Sequence, residues 1–228
     1  MLIEFKVRGN LRFLSHAETV RVFQRACVRG GIKLLYSEGF NPRPKLSLPL
    51  PKSVGIEVDN DLLCFQMQIN TTAQEHTSCG PPTGSISNFP ASAIARLSEQ
   101  LPPGFELLSV RTAKTNASVQ PCQAAYLLEI RKENVDERLK SRIKYLLDSK
   151  NLNFQRRINS ENSRFKNIDV RPYLKSIELN DAGVTVECKI STAGTIRVDE
   201  ILELLELDYS ILTAPIRRTS VQWLINES

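Results

Sequence analysis

The sequence predicts an α+β protein made of two consecutive units of the order β-α-β-β-α-β. Three observations carry that prediction. Short apolar runs alternate with a period of two, longer ones recur at spacings of three and four, and the two kinds interleave. The interleaving happens twice along 228 residues, a length that accommodates one or two domains. Between the two passes lies KTNASVQP, residues 114–121, which reads as a linker.

The first unit opens on a strand over 2–8, where Ile3, Phe5 and Val7 alternate with Leu2, Glu4 and Lys6. Ser15 and Glu18, three apart, form a capping box for a helix that buries Ala17, Val20, Phe23 and Cys27. Gly30-Gly31 stops it. SEGFNPRPK, residues 37–45, follows. Gly39 and Asn41 tolerate positive φ, while Pro42 and Pro44 push their neighbours toward extended conformations. The expected result is a stiff arm displaying Phe40, Arg43 and Lys45. Leu46 to Leu50 is a short strand closed by Pro49 and Pro51, at an edge or an end of a sheet. Residues 54–58 and 62–69 add strands, and the polar stretch 70–89 is a long mobile loop. Pro90 starts a helix over 90–100 with Ile94, Leu97 and Leu101 inward, and 105–112 is a strand.

The second unit repeats the order. A strand spans 123–131. A helix follows over 134–149, with Asn134 and Glu137 as its cap pair and Val135, Leu139, Ile143 and Leu146 as its stripe. Strands are expected at 152–158, 172–179 and 184–191, and a helix at 197–207. That helix turns Ile201, Leu204 and Leu205 inward and Asp199, Glu200, Glu203 and Glu206 outward. A last strand covers 216–225. The halves share no visible sequence repeat, but each has the element pattern of a split βαβ, ferredoxin-like sandwich. Two tandem ferredoxin-like sandwiches, over 1–113 and 122–228, are the expected architecture.

No apolar run approaches the roughly 20 residues of a membrane span. The N-terminus has no signal-peptide core, so a cytoplasmic address and no membrane partner are expected. Five scattered cysteines, Cys27, Cys64, Cys79, Cys122 and Cys188, lack metal-clip spacing. Cys27, Cys64 and Cys188 sit in apolar patterns as small buried hydrophobes. His76 and Cys79 are only two ligands, so no metal and no cofactor is expected.

Charge is distributed unevenly. Residues 1–55 hold ten Lys/Arg against three acids, a net +7, which leaves −2 for the rest of a chain at +5. A positive end points to an anionic partner such as nucleic acid. Arg21, Arg25 and Arg29, four apart, line one helix face, either as a solvated surface or as a stripe of phosphate contacts. Arg12 precedes that helix, and Arg43 and Lys45 follow it on the arm. Tyr36 and Phe40 beside Arg43 resemble the mixed aromatics and cations that bind single strands, although Phe40 also suits a plug onto the core. Arg217 and Arg218 begin the last strand as decoration or as an extension of the charged track. Arg156, Arg157, Arg164, Lys166 and Arg171 add basic character to the second half. His16, in the first helical turn, is the single candidate general base, on a ribose hydroxyl, or a polar residue without a role.

The stretch GNLRFLSHAETVRVFQRACVRGGIKLLYSEGFNPRPKLSLPLPKSVGIE closely resembles the start of the radical-SAM-linked domain of unknown function (the DUF2344 type), here as a standalone member. That family combines an LRFLSH helix start with a YSQGFNPRPK arm. The later pieces VRPYLKSIEL and IRVDEILELLELD also match, so the resemblance spans nearly the whole chain. Glu38 stands where glutamine is usual, and 70–89 is longer than the family needs. The resemblance implies a bacterial protein working beside a radical SAM enzyme with a cobalamin-binding-type domain. Such enzymes cluster three cysteines, and none here is so placed, so the iron–sulfur chemistry would belong to the partner. Tandem ferredoxin-like folds also occur in the RNA-processing proteins of CRISPR systems, an analogy of fold alone. Three functions are therefore expected in order: a non-catalytic RNA-binding accessory module for tRNA or rRNA modification, a metal-independent endoribonuclease using His16, and a protein–protein adaptor.

Overall fold

The computed structural model describes residues 1–68, 91–114, 117–157, 165–181 and 183–226. The expected loop 70–89, Pro90, His76, Cys79 and Arg164 lie outside the described residues.

In the first half, β1 (Leu2–Val7) leads to α1 (His16–Arg29). β2 (Leu46–Ser47), β3 (Glu57–Phe65), α2 (Ala91–Glu99) and β4 (Phe105–Arg111) follow. In the second half, β5 (Ser118–Leu128) leads to α3 (Glu137–Asp148) and a hairpin of β6 (Asn153–Arg157) and β7 (Phe165–Asp169). β8 (Leu174–Asn180), β9 (Gly183–Lys189), α4 (Val198–Leu205) and β10 (Arg217–Asn226) complete the chain. The architecture is α+β, with one large mixed sheet and four α-helices among the described residues.

The sheet runs β4-β1-β3-β10-β5-β9-β8, with β2 beside β3. Within each half all pairings are antiparallel. The join is the parallel pair of β10 with β3, where Arg217 meets Glu57 and Arg218 meets Val58. Two apolar cores form. The first packs Phe23, Cys27 and Leu97 of α1 and α2 against Ile3, Phe5 and Val7. Phe23 stands edge-on to Phe5 and Phe105, at 4.7 and 5.3 Å between ring centroids. The second core packs α3 and α4 against β5, β8 and β9, and takes in Leu50 and Ile56 from the first half.

Several expected boundaries move for identifiable reasons. The expected strands 54–58 and 62–69 form one strand, β3, because its acids are held by arginines: Asp59 by Arg8 and Arg217, Asp61 by Arg218. β5 begins at Ser118, inside the expected linker. Pro121 is tolerated there because it faces Trp223 beside a register shift, where a missing N–H breaks no regular ladder. α1 buries Thr19, Phe23, Ala26 and Cys27 and leaves Ala17 exposed. Thr19 satisfies its hydroxyl on the Ser15 carbonyl at 2.9 Å, so it can turn inward. α3 is capped by Asp136, which accepts from the Leu139 amide at 2.9 Å; Asn134 lies in a preceding 3-10 turn. Strand β7 was not expected. No helix among the described residues is long and apolar enough to cross a membrane.

Candidate nucleic-acid interface

Helix α1 is fixed at both ends. Ser15 accepts from the Glu18 amide at 3.3 Å, and its own amide donates to the Glu18 carboxylate at 2.8 Å, closing the capping box. The Ser15 hydroxyl, which donates to the Glu18 carboxylate at 2.6 Å, and then the Ser15 amide hold that carboxyl below its ordinary value. At the other end Arg29 donates to the Gln100 carbonyl at 2.7 Å, which ties α1 to the end of α2. Between these anchors the exposed guanidinium groups of Arg21 and Arg25 form no hydrogen bond or ion pair with any described residue. Successive arginines sit about 6 Å apart along the helix axis, four residues at 1.5 Å each.

The arm stands beside this helix. Ser37 and Arg43 close it: the Ser37 amide donates to the Arg43 carbonyl at 2.8 Å, and the Arg43 amide to the Ser37 hydroxyl at 3.0 Å. Gly39 makes the turn at φ +114°, a conformation that disfavours any side chain, whereas Asn41 keeps a negative φ. Phe40 at the tip is fully exposed, so it does not plug onto the core. The Arg43 side chain is exposed and has no described partner. At its root the arm pairs Tyr36 with Pro44 across a bridge.

Two hollows separate α1 from the arm root and β2. One, of about 360 Å³, lies among Arg25, Val28, Arg29 and Tyr36. The other, of about 370 Å³, lies among His16, Arg21, Ser47 and Leu48. Gln24 belongs to the wall of both, so together they form a groove along α1. His16 is the first residue of α1, and its Nδ1 is buried without a hydrogen-bond partner.

The other expected ligands fall elsewhere. Lys45 borders a larger cleft of about 1160 Å³ that Leu2, Phe65, Met67, Lys114, Val119 and Pro121 also line. Arg12 lies over the Phe13 ring at 4.3 Å and donates to the Gly9 carbonyl at 2.9 Å, with no carboxylate partner among the described residues. Arg217 is neutralised by Glu129 at 2.9 Å and by Asp59 at 3.6 Å. Arg218 is a correction: it is 1% exposed and paired with Asp61, itself fully buried, so it faces no solvent partner. Arg156 grips Glu200 with two bonds of 2.6 Å, which also explains why Glu200 is buried instead of facing outward as expected. Arg171 donates to the carbonyls of Leu147, Ser149 and Leu174. Arg156 and Arg171, two of the cations that gave the second half its basic look, are therefore structural.

Sequence reasoning missed Lys52. Its ammonium, 4% exposed, donates to the Arg12 carbonyl at 2.6 Å and supports the turn before α1. Burial lowers Lys52 to about 8, aided by the Arg218 charge and opposed by Asp61 and Glu18. The signal was present in PLPKSVG, a lysine inside a proline-bounded apolar run. Cys27 and Cys188 are buried as expected, but Cys64 is only half-buried. Burial pushes the three thiols up to about 12, 12 and 11, so they are protonated at neutral pH. Among the described residues no cluster of three or more His, Cys, Asp or Glu side chains is placed to hold a metal ion.

Comparison with known protein families adds a match. The profile of a family described as uncharacterized protein conserved in bacteria (DUF2344) matches residues 1–79 and 86–200. No curated protein matches the chain.

Proposed function

The chain belongs to the DUF2344 family of uncharacterized proteins conserved in bacteria, and on that premise we propose that it is a non-catalytic RNA-binding accessory module. It works in the cytoplasm with a radical SAM partner enzyme, in tRNA or rRNA modification. One observation carries the RNA reading: Arg21, Arg25 and Arg43 form no ion pair with any described residue, Arg21 feeling only the charge of exposed Glu18 one turn earlier, while Arg8, Arg156, Arg217 and Arg218 are all engaged by carboxylates. Unneutralised guanidinium groups beside the exposed rings of Tyr36 and Phe40 suit a single strand, whose phosphates pair with arginine and whose bases stack. The partner is supported by the likeness of the GFNPRPK arm to the radical-SAM-linked family. Tandem ferredoxin-like units are supported by the strand orders β4-β1-β3-β2 and β10-β5-β9-β8, which follow one scheme when the large-sheet strands of each half are counted in chain order and the separate β6–β7 hairpin is set aside.

Retention of a short RNA at low and moderate salt tests the reading, with Arg25→Ala and Arg43→Ala beside the native protein. Both variants are expected to release RNA at lower salt. Unchanged retention in both rejects the site. A second reading, a metal-independent endoribonuclease, is favoured by His16 lining the groove next to Arg21 with an unpartnered Nδ1. Incubation of RNA with the protein in chelator decides it. Fragments that disappear with His16→Ala make it an enzyme, and intact RNA leaves it a binder.

A further inference from the structure

The 360 Å³ hollow at the C-terminal end of the groove has a character the phosphate contacts do not explain. Val28 is 65% exposed and Tyr36 49% exposed, and Leu34 and Pro44 join them in lining it. Arg25 and Arg29 flank this apolar lining on α1. A solvated basic helix face does not need an uncovered valine and tyrosine between its cations, because exposing apolar area is unfavourable at about 25 cal/mol per Å². The hollow's size is near the lower end of the range for small-molecule pockets, about 300 Å³ upward. Gln24, half-buried in its wall, makes no side-chain hydrogen bond with any described residue.

We propose that this hollow receives one unpaired nucleobase of the bound RNA, that Tyr36 stacks on it and that Gln24 reads its edge, with adenine preferred. The proposal rests on the RNA-binding reading and names what that site selects. An apolar lining with cations alongside matches the amphipathic form of a nucleotide, whose base is flat and poorly solvated and whose phosphate is charged. The free amide of Gln24 offers one donor and one acceptor side by side, the pattern that pairs with N6 and N7 of adenine. Arg25 lies within reach of the phosphate attached to that nucleotide, so base and backbone contacts share one helix turn. Gln24 lines the His16–Arg21 hollow as well, so the strand continues from the read base along α1.

The test is the binding of six-nucleotide oligo(A), oligo(U), oligo(C) and oligo(G) to the full chain, each at two salt concentrations. The native protein is expected to favour oligo(A) over oligo(U) by about tenfold. That ratio should persist as salt rises, because base contacts release no counterions. Gln24→Ala should abolish the preference while leaving the salt slope unchanged. Tyr36→Ala should weaken all four oligomers. Both positions are surface sites on an otherwise intact scaffold, and circular dichroism checks that the variants fold. Equal binding of all four oligomers, or a preference that survives Gln24→Ala, overturns the base pocket while the RNA reading stands. Unchanged binding in Tyr36→Ala overturns it too, and points to a protein segment as the occupant of the hollow. Failure of every oligomer to bind at low salt overturns both.

Discussion

Arg218 of the last strand meets Asp61 of β3, 157 residues earlier, in an ion pair with almost no solvent access. The pair stands at the parallel join of β10 and β3, the seam that makes one sheet of two halves. Lys52 lies beside it and carries the turn that leads into α1. The buried charges therefore link the second half to the start of the candidate RNA site.

Removing one partner of such a pair leaves the other charge buried and unpaired. Arg218→Met should destabilise the protein by about 3–5 kcal/mol in urea unfolding. The double variant Arg218→Met with Asp61→Leu should recover most of that loss, since an apolar pair of similar volume carries no desolvation cost. RNA affinity of the folded double variant should be unchanged.

Lys52 predicts a pH dependence with a definite sign. Its folded value lies at about 8, below the ordinary lysine value of 10.5, so the unfolded chain binds more protons between those limits. Stability contributed by this group therefore rises with pH from about 8 to 10.5. The raised thiols of Cys27, Cys64 and Cys188 act in the opposite direction above pH 9, but they are common to the native protein and Lys52→Met. The native protein should gain stability relative to Lys52→Met across that window in urea titrations at stepped pH. A flat difference contradicts the burial of a charged Lys52.

The arm's shape depends on Gly39. Gly39→Ala puts a side chain at φ +114°, at a cost on the order of 1–3 kcal/mol. The arm is exposed and closed only at Ser37 and Arg43, so the loop rearranges and the global fold is spared. RNA affinity should fall by roughly tenfold, about 1.4 kcal/mol, with little change in melting temperature.

The helix start gives a purely structural control. Ser15→Ala removes one half of the capping box and should cost about 1 kcal/mol of stability, read by thermal unfolding.

Much of the fold is legible in the sequence because its signals are local. Ser15-x-x-Glu18, Gly30-Gly31 and the Ile3/Phe5/Val7 alternation each act within one or two turns of chain. The misreadings share a different cause. Asp59, Asp61 and Glu200 look like surface acids, and only arginines distant in sequence make them tolerable inside. Pro121 reads as a breaker until its partner strand supplies a register shift. The candidate site was legible to the same extent. The i, i+4 spacing found Arg21 and Arg25 and the proline spacing found the arm, whereas Gln24 and Lys52 matter only through what the fold brings beside them.

The most direct test of the account is the salt dependence of binding to a short single-stranded RNA, native against Arg21→Ala/Arg25→Ala/Arg43→Ala. Three lost phosphate contacts should make the slope of log K against log salt shallower by about 2, at about 0.7 per contact. A slope identical to that of the native protein would contradict the account.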